Sequence, residues 1–198
     1  MRAGTVAMLL LGTAQGPSFV LGEEPVSCHL AGDFWSSYGF RLVIPRGHQA
    51  IPSAVLGDHG VIISLGAESS KAVGTMEFYG AFNALFYRTP EDAADAHVAW
   101  LREHAAQQAA TVLSTKQTAV RGIRGVRVVT TYRKAESRLE MVSDEIEMLR
   151  SREGGDRLGD VPDYHYTFGL TAPASQYPAG KRLFEKVPAT VRFAEPDQ

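Results

Sequence analysis

"DYHYTFGLTAPASQYPAGKRLFEKVPATVRF", residues 163–193, carries the two periodicities that separate fold classes. Its large side chains from Tyr164 to Leu170 alternate with smaller or polar ones, and a period of two predicts a strand. Pro173 ends that strand, and the apolar positions from Tyr177 to Val187 then recur at helical spacing until Pro188. The stretch therefore predicts a strand, a helix that covers it and a short β-branched tail.

The remaining chain predicts further strands and one long helix. Alternating or β-branched runs predict strands at 40–44, 61–65, 75–87, 111–120 and 124–133. Residues 139–150 also fit helical spacing, and we predict a strand there because strands flank the segment and no helix cap precedes it. Between them, Thr89 is suited to cap a helix over 90–110 that has Pro90 at its first position. A narrow stripe of small side chains predicts that this helix lies across a sheet. We expect the strands around residues 40, 62 and 80 to pair with one another.

The composition indicates one globular domain. Of the 198 residues, 44% are hydrophobic and 21% are charged, which is sufficient for a single core. The predicted fold class is α+β, with one domain in which an antiparallel β-sheet is flanked by helices, an α/β sandwich. A formal net charge of −2 provides no field that attracts nucleic acid or an anionic membrane, so neither is an expected partner.

The N-terminus has the layout of a secretory signal. One arginine precedes the apolar run Val6–Leu11, which is far shorter than the ~20 residues that span a bilayer. We therefore predict a signal segment at 1–22, a domain at 23–198, export to the periplasm or the medium, and no stable membrane span. A buried N-terminal strand or helix is the alternative. Cys28, the single cysteine, is free, lipidated or paired with another molecule.

Taken in order, several segments resemble one family. The run "YGFRLVIPRG" (38–47), the capped helix, "RGIRGVRVVTTYR" (121–133) and the C-terminal stretch are similar to the PsbP-like α/β sandwich, a group of photosystem accessory proteins and small bacterial envelope proteins. The resemblance covers most of residues 38–193 and rests on the order of the elements. It implies an antiparallel sheet flanked by helices and a role in binding or assembly, without a shared active site.

The strand predicted at 75–87 offers candidate contact residues. Its alternation places Tyr79, Asn83 and Tyr87 on the face opposite Met76 and Phe78. Tyrosine provides a large, rigid and amphipathic contact, so these three residues are the predicted contacts with an unknown protein partner or a small ligand. Packing of the same residues beneath a helix is the alternative.

Two glutamates are the leading candidates for chemistry. Glu145 and Glu147 share a face of the predicted strand with Cα atoms ~6.8 Å apart, a separation that suits paired carboxylates of glycosidases. Cross-strand pairing of this acidic run with the arginines of 121–133, on a solvated face, is the preferred interpretation. We therefore predict no catalytic residue. An envelope hydrolase that uses Glu145 and Glu147, or a histidine loop, is the alternative, and it requires these acids and a histidine to converge in a pocket.

The six histidines do not predict a metal site. His97 and His104 share a helix face, but seven residues separate their backbones by ~10.5 Å, which is too far for one zinc ion. With Trp100 between them, they are predicted to form a patch against a neighbouring element. No metal and no cofactor are predicted. The sequence thus favours an exported, non-enzymatic accessory or binding protein that acts through protein or small-ligand contacts.

Overall fold

The computed structural model describes residues 32–52, 59–66, 74–104, 110–134, 138–151 and 161–194. The predicted signal segment and Cys28 lie outside these residues. The strands are β1 (Asp33–Ser36), β2 (Phe40–Val43), β3 (Ala50–Pro52), β4 (Gly60–Ser64), β5 (Thr75–Phe82), β6 (Thr111–Val120), β7 (Ile123–Arg133), β8 (Glu140–Arg150), β9 (Tyr164–Pro173) and β10 (Arg192–Phe193). The helices are α1 (Pro90–His104) and α2 (Tyr177–Phe184), and a 3₁₀ turn spans Pro188–Thr190.

The strands form two antiparallel sheets. The large sheet has the order β3-β4-β5-β9-β8-β7-β6, and the small one has the order β1-β2-β10. The α+β sandwich predicted from the sequence is confirmed. The expected pairing of the strands around 40, 62 and 80 is only half correct, because β4 pairs with β5 whereas β2 belongs to the small sheet. Alternation identifies a half-buried strand but not the sheet to which it belongs.

Helix α1 begins where the sequence predicts. The Thr89 Oγ1 accepts a hydrogen bond from the Asp92 backbone N–H (3.2 Å), and the Asp92 carboxylate accepts one from the Thr89 N–H (3.0 Å). This reciprocal arrangement is a capping box, which satisfies two backbone donors that the helix cannot satisfy itself. The helix then packs on β7 and β8, where Ala94 and Val98 contact apolar side chains of β7.

The main core lies on the opposite face of the large sheet. There Phe168 of β9 packs against Phe78 of β5 (ring centroids 5.2 Å apart) and against Phe40 of β2 (5.5 Å). Phe184 of α2 contacts Phe78 on the same side. The small sheet and α2 therefore cover one face, and α1 covers part of the other. No helix within the described ranges has both the length and the apolar character needed to cross a bilayer.

Strand β5 is shorter than the alternation predicts. It ends at Phe82, after which the backbone turns, with the Phe86 N–H bonded to the Asn83 carbonyl (3.0 Å). The prediction that one strand face carries Asn83 and Tyr87 together with Tyr79 is therefore wrong. Within the strand, Gly80 allows a close approach, because a Cβ there would lie 2.9 Å from the ring of Tyr166.

Candidate functional site

Successive residues of β8 face different helices. His97 of α1 contacts Glu145, while Tyr177 of α2 donates a hydrogen bond to the preceding residue, Asp144 (2.7 Å). The strand period of two therefore places Glu145 and Glu147 beneath α1 and Asp144 on the other face. A polar strip thus lies under a helix that otherwise packs through apolar side chains.

Glu145 and His97 form a largely buried pair at the centre of this strip, with side chains that are 13% and 18% exposed. The His97 Nδ1 lies 3.1 Å from the Glu145 Oε2, and the Ser143 hydroxyl donates to the other carboxyl oxygen (2.7 Å). Burial, reinforced by the charge of Glu147, raises the pKa of Glu145 from 4.5 to about 8. Burial also lowers the pKa of His97, against the opposing charge of Glu147, so its imidazole is neutral at pH 7.

Glu147 is more deeply buried and has partners of its own. Its side chain is 3% exposed, and its Oε2 lies 2.7 Å from the His165 Nε2. The same oxygen accepts a hydrogen bond from the Thr167 hydroxyl (2.9 Å). The ring of Tyr87 packs edge-on against His165, with centroids 5.3 Å apart. Side chains of β9 therefore hold Glu147 in place. One of them, His165, also contacts Tyr87 in the segment that precedes α1.

A cavity of about 340 Å³ opens beside the His97–Glu145 pair. Its lining includes Glu77, His97, Trp100, Tyr132, Glu145 and Thr167. Desolvation raises the pKa of the Glu77 carboxyl and also that of the Tyr132 hydroxyl, to which the nearby glutamates contribute. Two carboxyl groups therefore line the cavity, in surroundings that favour their protonated forms.

The preferred interpretation of the acidic run is wrong for two of its three members. Glu145 and Glu147 are buried under α1 and do not pair with arginines on a solvated face. Asp144 does pair with Arg127, through two hydrogen bonds of 2.6 Å each. The hydrolase alternative requires both glutamates and a histidine to converge in a pocket, and this is met in part: His97 and Glu145 line the cavity, whereas Glu147 lies close to both but does not line it.

The histidine that converges with the glutamates is a member of the predicted patch, but its partner is different. One ligand atom each from His97, Glu145 and Glu147 lies within 4.8 Å of the others. The His97 and Trp100 rings stack with centroids 6.3 Å apart, whereas the side chain of His104 lies outside the described residues. Sequence reasoning paired His97 along its own helix and missed its partners on β8. His97 lies three residues after Ala94 and four before Leu101, on the buried face, and that spacing was the available signal.

The predicted contact residues occupy three different environments. Tyr79 is half-buried on β5, with its ring 6.2 Å from that of His59. Asn83 is buried, and its amide donates to the backbone carbonyls of Tyr87 (2.7 Å) and Pro162 (2.9 Å) while accepting from the Tyr87 N–H (3.0 Å). Tyr87 is half-buried against His165. The role of these three residues as contacts stays a prediction.

The segment around Asn83 displays apolar side chains to solvent. Residues 82–87, which we call the aromatic loop, expose Phe82 by 64%, Leu85 by 71% and Phe86 by 66%. Phe86 adopts a φ of 56°, in the left-handed region that residues other than glycine rarely occupy. A depression of about 320 Å³ lies between this loop and residues 161–164. The hydrogen bonds of Asn83 therefore hold an exposed apolar surface in one conformation.

Comparison with known proteins bears on the fold. The structure is similar to that of cyanobacterial PsbP (CyanoP) from Synechocystis sp. PCC 6803, with a TM-score of 0.54 and 10% sequence identity, over 88% of this chain and 99% of that chain. At this identity the likeness supports a PsbP-like fold and nothing finer. PA94, a Pseudomonas aeruginosa protein of unknown function, is 14% identical over 74% of this chain and 85% of its own. Its TM-score of 0.44 is too low to support a shared fold. No protein-family model and no curated protein matches the sequence.

Proposed function

We propose that this chain is an exported, non-enzymatic accessory protein that docks a partner protein on its aromatic loop. The observation that carries this proposal is the exposure of Phe82, Leu85 and Phe86 within six consecutive residues. Contiguous exposed apolar side chains are a mark of interaction surfaces, and aromatic residues supply much of the binding energy in protein interfaces. The likeness in fold to CyanoP is in keeping with an accessory role and with membership of the PsbP-like family.

The loop is prepared for binding before any partner arrives. Three hydrogen bonds between the Asn83 amide and the backbone fix the turn. The Phe82 ring packs against the rings of Tyr38 (centroids 5.2 Å apart) and Tyr164 (5.7 Å). A surface that is already ordered loses little conformational entropy when a partner binds. Asn83 thus acts as a positioning residue, and its neighbours make the contact.

Photo-crosslinking in the cell of origin tests this proposal. Benzoyl-phenylalanine placed at Leu85 is expected to give a discrete cross-linked species. The matched control is Leu113 on β6, which is 59% exposed but lies outside the loop. Cross-linking that is equal at both positions, or absent at Leu85, would discard the aromatic loop as the docking surface. N-terminal sequencing of the mature protein tests export, because the proposed signal requires that residues 1–22 be missing.

One observation favours a second candidate, an envelope hydrolase. Glu145 is held in its acid form at neutral pH beside a cavity, next to His97, and such a group can serve as a general acid. Chromogenic glycosides and esters are the appropriate substrates. The hydrolase hypothesis expects turnover that disappears in E145Q and E147Q but persists in E140Q, which changes an exposed glutamate of the same strand. Absence of turnover in the wild type would remove this candidate.

A further inference from the structure

The atoms that converge beneath α1 have the spacing of metal ligands. The His97 Nδ1 and the Glu145 Oε2 are 3.1 Å apart, and one ligand atom from each of His97, Glu145 and Glu147 lies within 4.8 Å of the others. Two atoms that each lie ~2.0–2.1 Å from one zinc ion are about 3.0–3.4 Å from each other. The first pair already meets this condition, and Glu147 needs to approach by only on the order of 1–2 Å to meet it too. We propose that His97, Glu145 and Glu147 bind one divalent transition-metal cation of the Zn²⁺ class.

The donor set selects the class of cation. An imidazole nitrogen suits Zn²⁺ and related transition metals, whereas Mg²⁺ and Ca²⁺ prefer oxygen ligands throughout. Once Glu145 releases its proton on binding, two carboxylates would balance the charge of a divalent ion, and the ion would offset the repulsion between these two acids on one face of the sheet.

Neighbouring side chains orient the two proposed glutamate ligands. Ser143 donates to Glu145, and both His165 and Thr167 contact the Oε2 of Glu147. Contacts of this kind orient metal ligands and contribute to affinity. The His97 Nε2 is buried and has no hydrogen-bond partner among the described residues. Because Nδ1 is the atom that faces Glu145, Nε2 would remain to donate a hydrogen bond to a water, and the adjoining cavity of about 340 Å³ has room for one.

Calorimetric titration of the chelator-stripped full chain with Zn²⁺ tests this proposal. We expect one ion per chain, with affinity that falls by more than about 100-fold in H97Q and in E147Q, because each loses a ligand. T167V removes a hydroxyl that contacts Glu147 and His165 but is not a proposed ligand, and is expected to lose about tenfold. The matched controls are H104Q on the same helix and E140Q on the same strand, both of which should bind as the wild type does.

A second measurement uses the wild-type protein and does not depend on the folding of variants. Nitrogen-15 NMR of the imidazoles is expected to show a change at the His97 ring on addition of Zn²⁺, together with a smaller change at His165. Either no binding, or binding that leaves the His97 ring unperturbed, overturns the site. Equal affinity for Zn²⁺ and Mg²⁺ overturns the assigned class of cation. These outcomes are separate from the docking proposal, since benzoyl-phenylalanine cross-linking at Leu85 does not report on metal.

Discussion

Gly169 lies directly opposite Glu145 in the β8–β9 ladder, and a Cβ at position 169 would lie 3.2 Å from the Glu145 Cγ. Real contacts are rarely this short, so the missing side chain leaves the space that the glutamate occupies. Both residues line the cavity beside α1. The position of the Glu145 carboxyl therefore depends on the absence of a side chain at position 169.

Replacement of Gly169 with alanine should destabilise the protein. Glu145 cannot yield easily, because Ser143 and His97 hold its carboxyl, so we expect G169A to lower the free energy of unfolding by about 1 kcal/mol. Urea denaturation is the measurement. The same change in an E145A background, where the clash is absent, should cost less. An equal loss of stability in both backgrounds would show that contact between the new Cβ and Glu145 is not the cause.

Glu145 should make stability fall as the pH rises in the metal-free protein. The pKa of this group is about 8 in the folded chain against 4.5 in the unfolded chain, so the folded state binds the proton more tightly between these values. The free energy of unfolding is therefore expected to decrease from about pH 4.5 to about pH 8, by at most about 1.4 kcal/mol per pH unit. Below this window both states are protonated, and above it the loss is complete.

The variant E145Q isolates this contribution. Glutamine cannot ionise, so E145Q should gain stability relative to the wild type as the pH rises from 5 to about 8. Urea denaturation at both ends of the window, with a chelator present, measures the difference. The control is E140Q, which should leave the pH dependence unchanged. Parallel curves for wild type and E145Q would contradict the assignment.

Loss of the Asn83 amide should loosen the aromatic loop. N83A leaves two backbone carbonyls and one N–H without their partner, so we expect a loss of about 2–3 kcal/mol in the free energy of unfolding. Hydrogen exchange of the Tyr87 amide should accelerate as well. The control is L85A, an exposed change in the same loop, which should stay within about 0.5 kcal/mol of the wild type. Unaltered exchange at Tyr87 in N83A would show that the amide does not hold the turn.

Asp144 should prove structural, in contrast to the glutamates that follow it. It is fully buried and binds Arg127 through two hydrogen bonds, and it accepts a third from Tyr177. D144N leaves the Arg127 charge with Glu185, whose carboxylate lies 3.9 Å away, so we expect a loss of about 3 kcal/mol, at the lower end for a broken buried pair. Thermal or urea unfolding measures it, with E140Q as the near-neutral control. A small effect would mean that solvent already screens the pair.

Local features of the fold were predictable from the sequence, whereas the assignment of strands to sheets was not. The start of α1 depends on Thr89, Pro90 and the acid at position 92, all within one turn, so sequence suffices to locate it. The strand at β8 was predicted against a competing helical pattern and is confirmed. The pairing of β2 with β10 joins residues that are far apart in sequence, and no local pattern contains that information.

The candidate site was predictable in part. The spacing of Glu145 and Glu147 puts them on one strand face, and the position of His97 puts it on the buried face of its helix. What sequence alone did not show is that α1 crosses β8 at this point and buries the two acids. Solvation of the glutamates was the reasonable expectation for charged side chains, and tertiary packing overrode it.

The Tyr87 ring packs on His165, and His165 also contacts Glu147. His165 therefore connects the aromatic loop to the glutamates beneath α1. Substitutions in the two places should therefore be non-additive, and double-mutant cycles between position 87 and position 147 should yield a nonzero coupling energy. Engineering follows the same constraint. A change at Tyr87 that gives the loop a new binding specificity therefore also changes what packs on His165, next to Glu147.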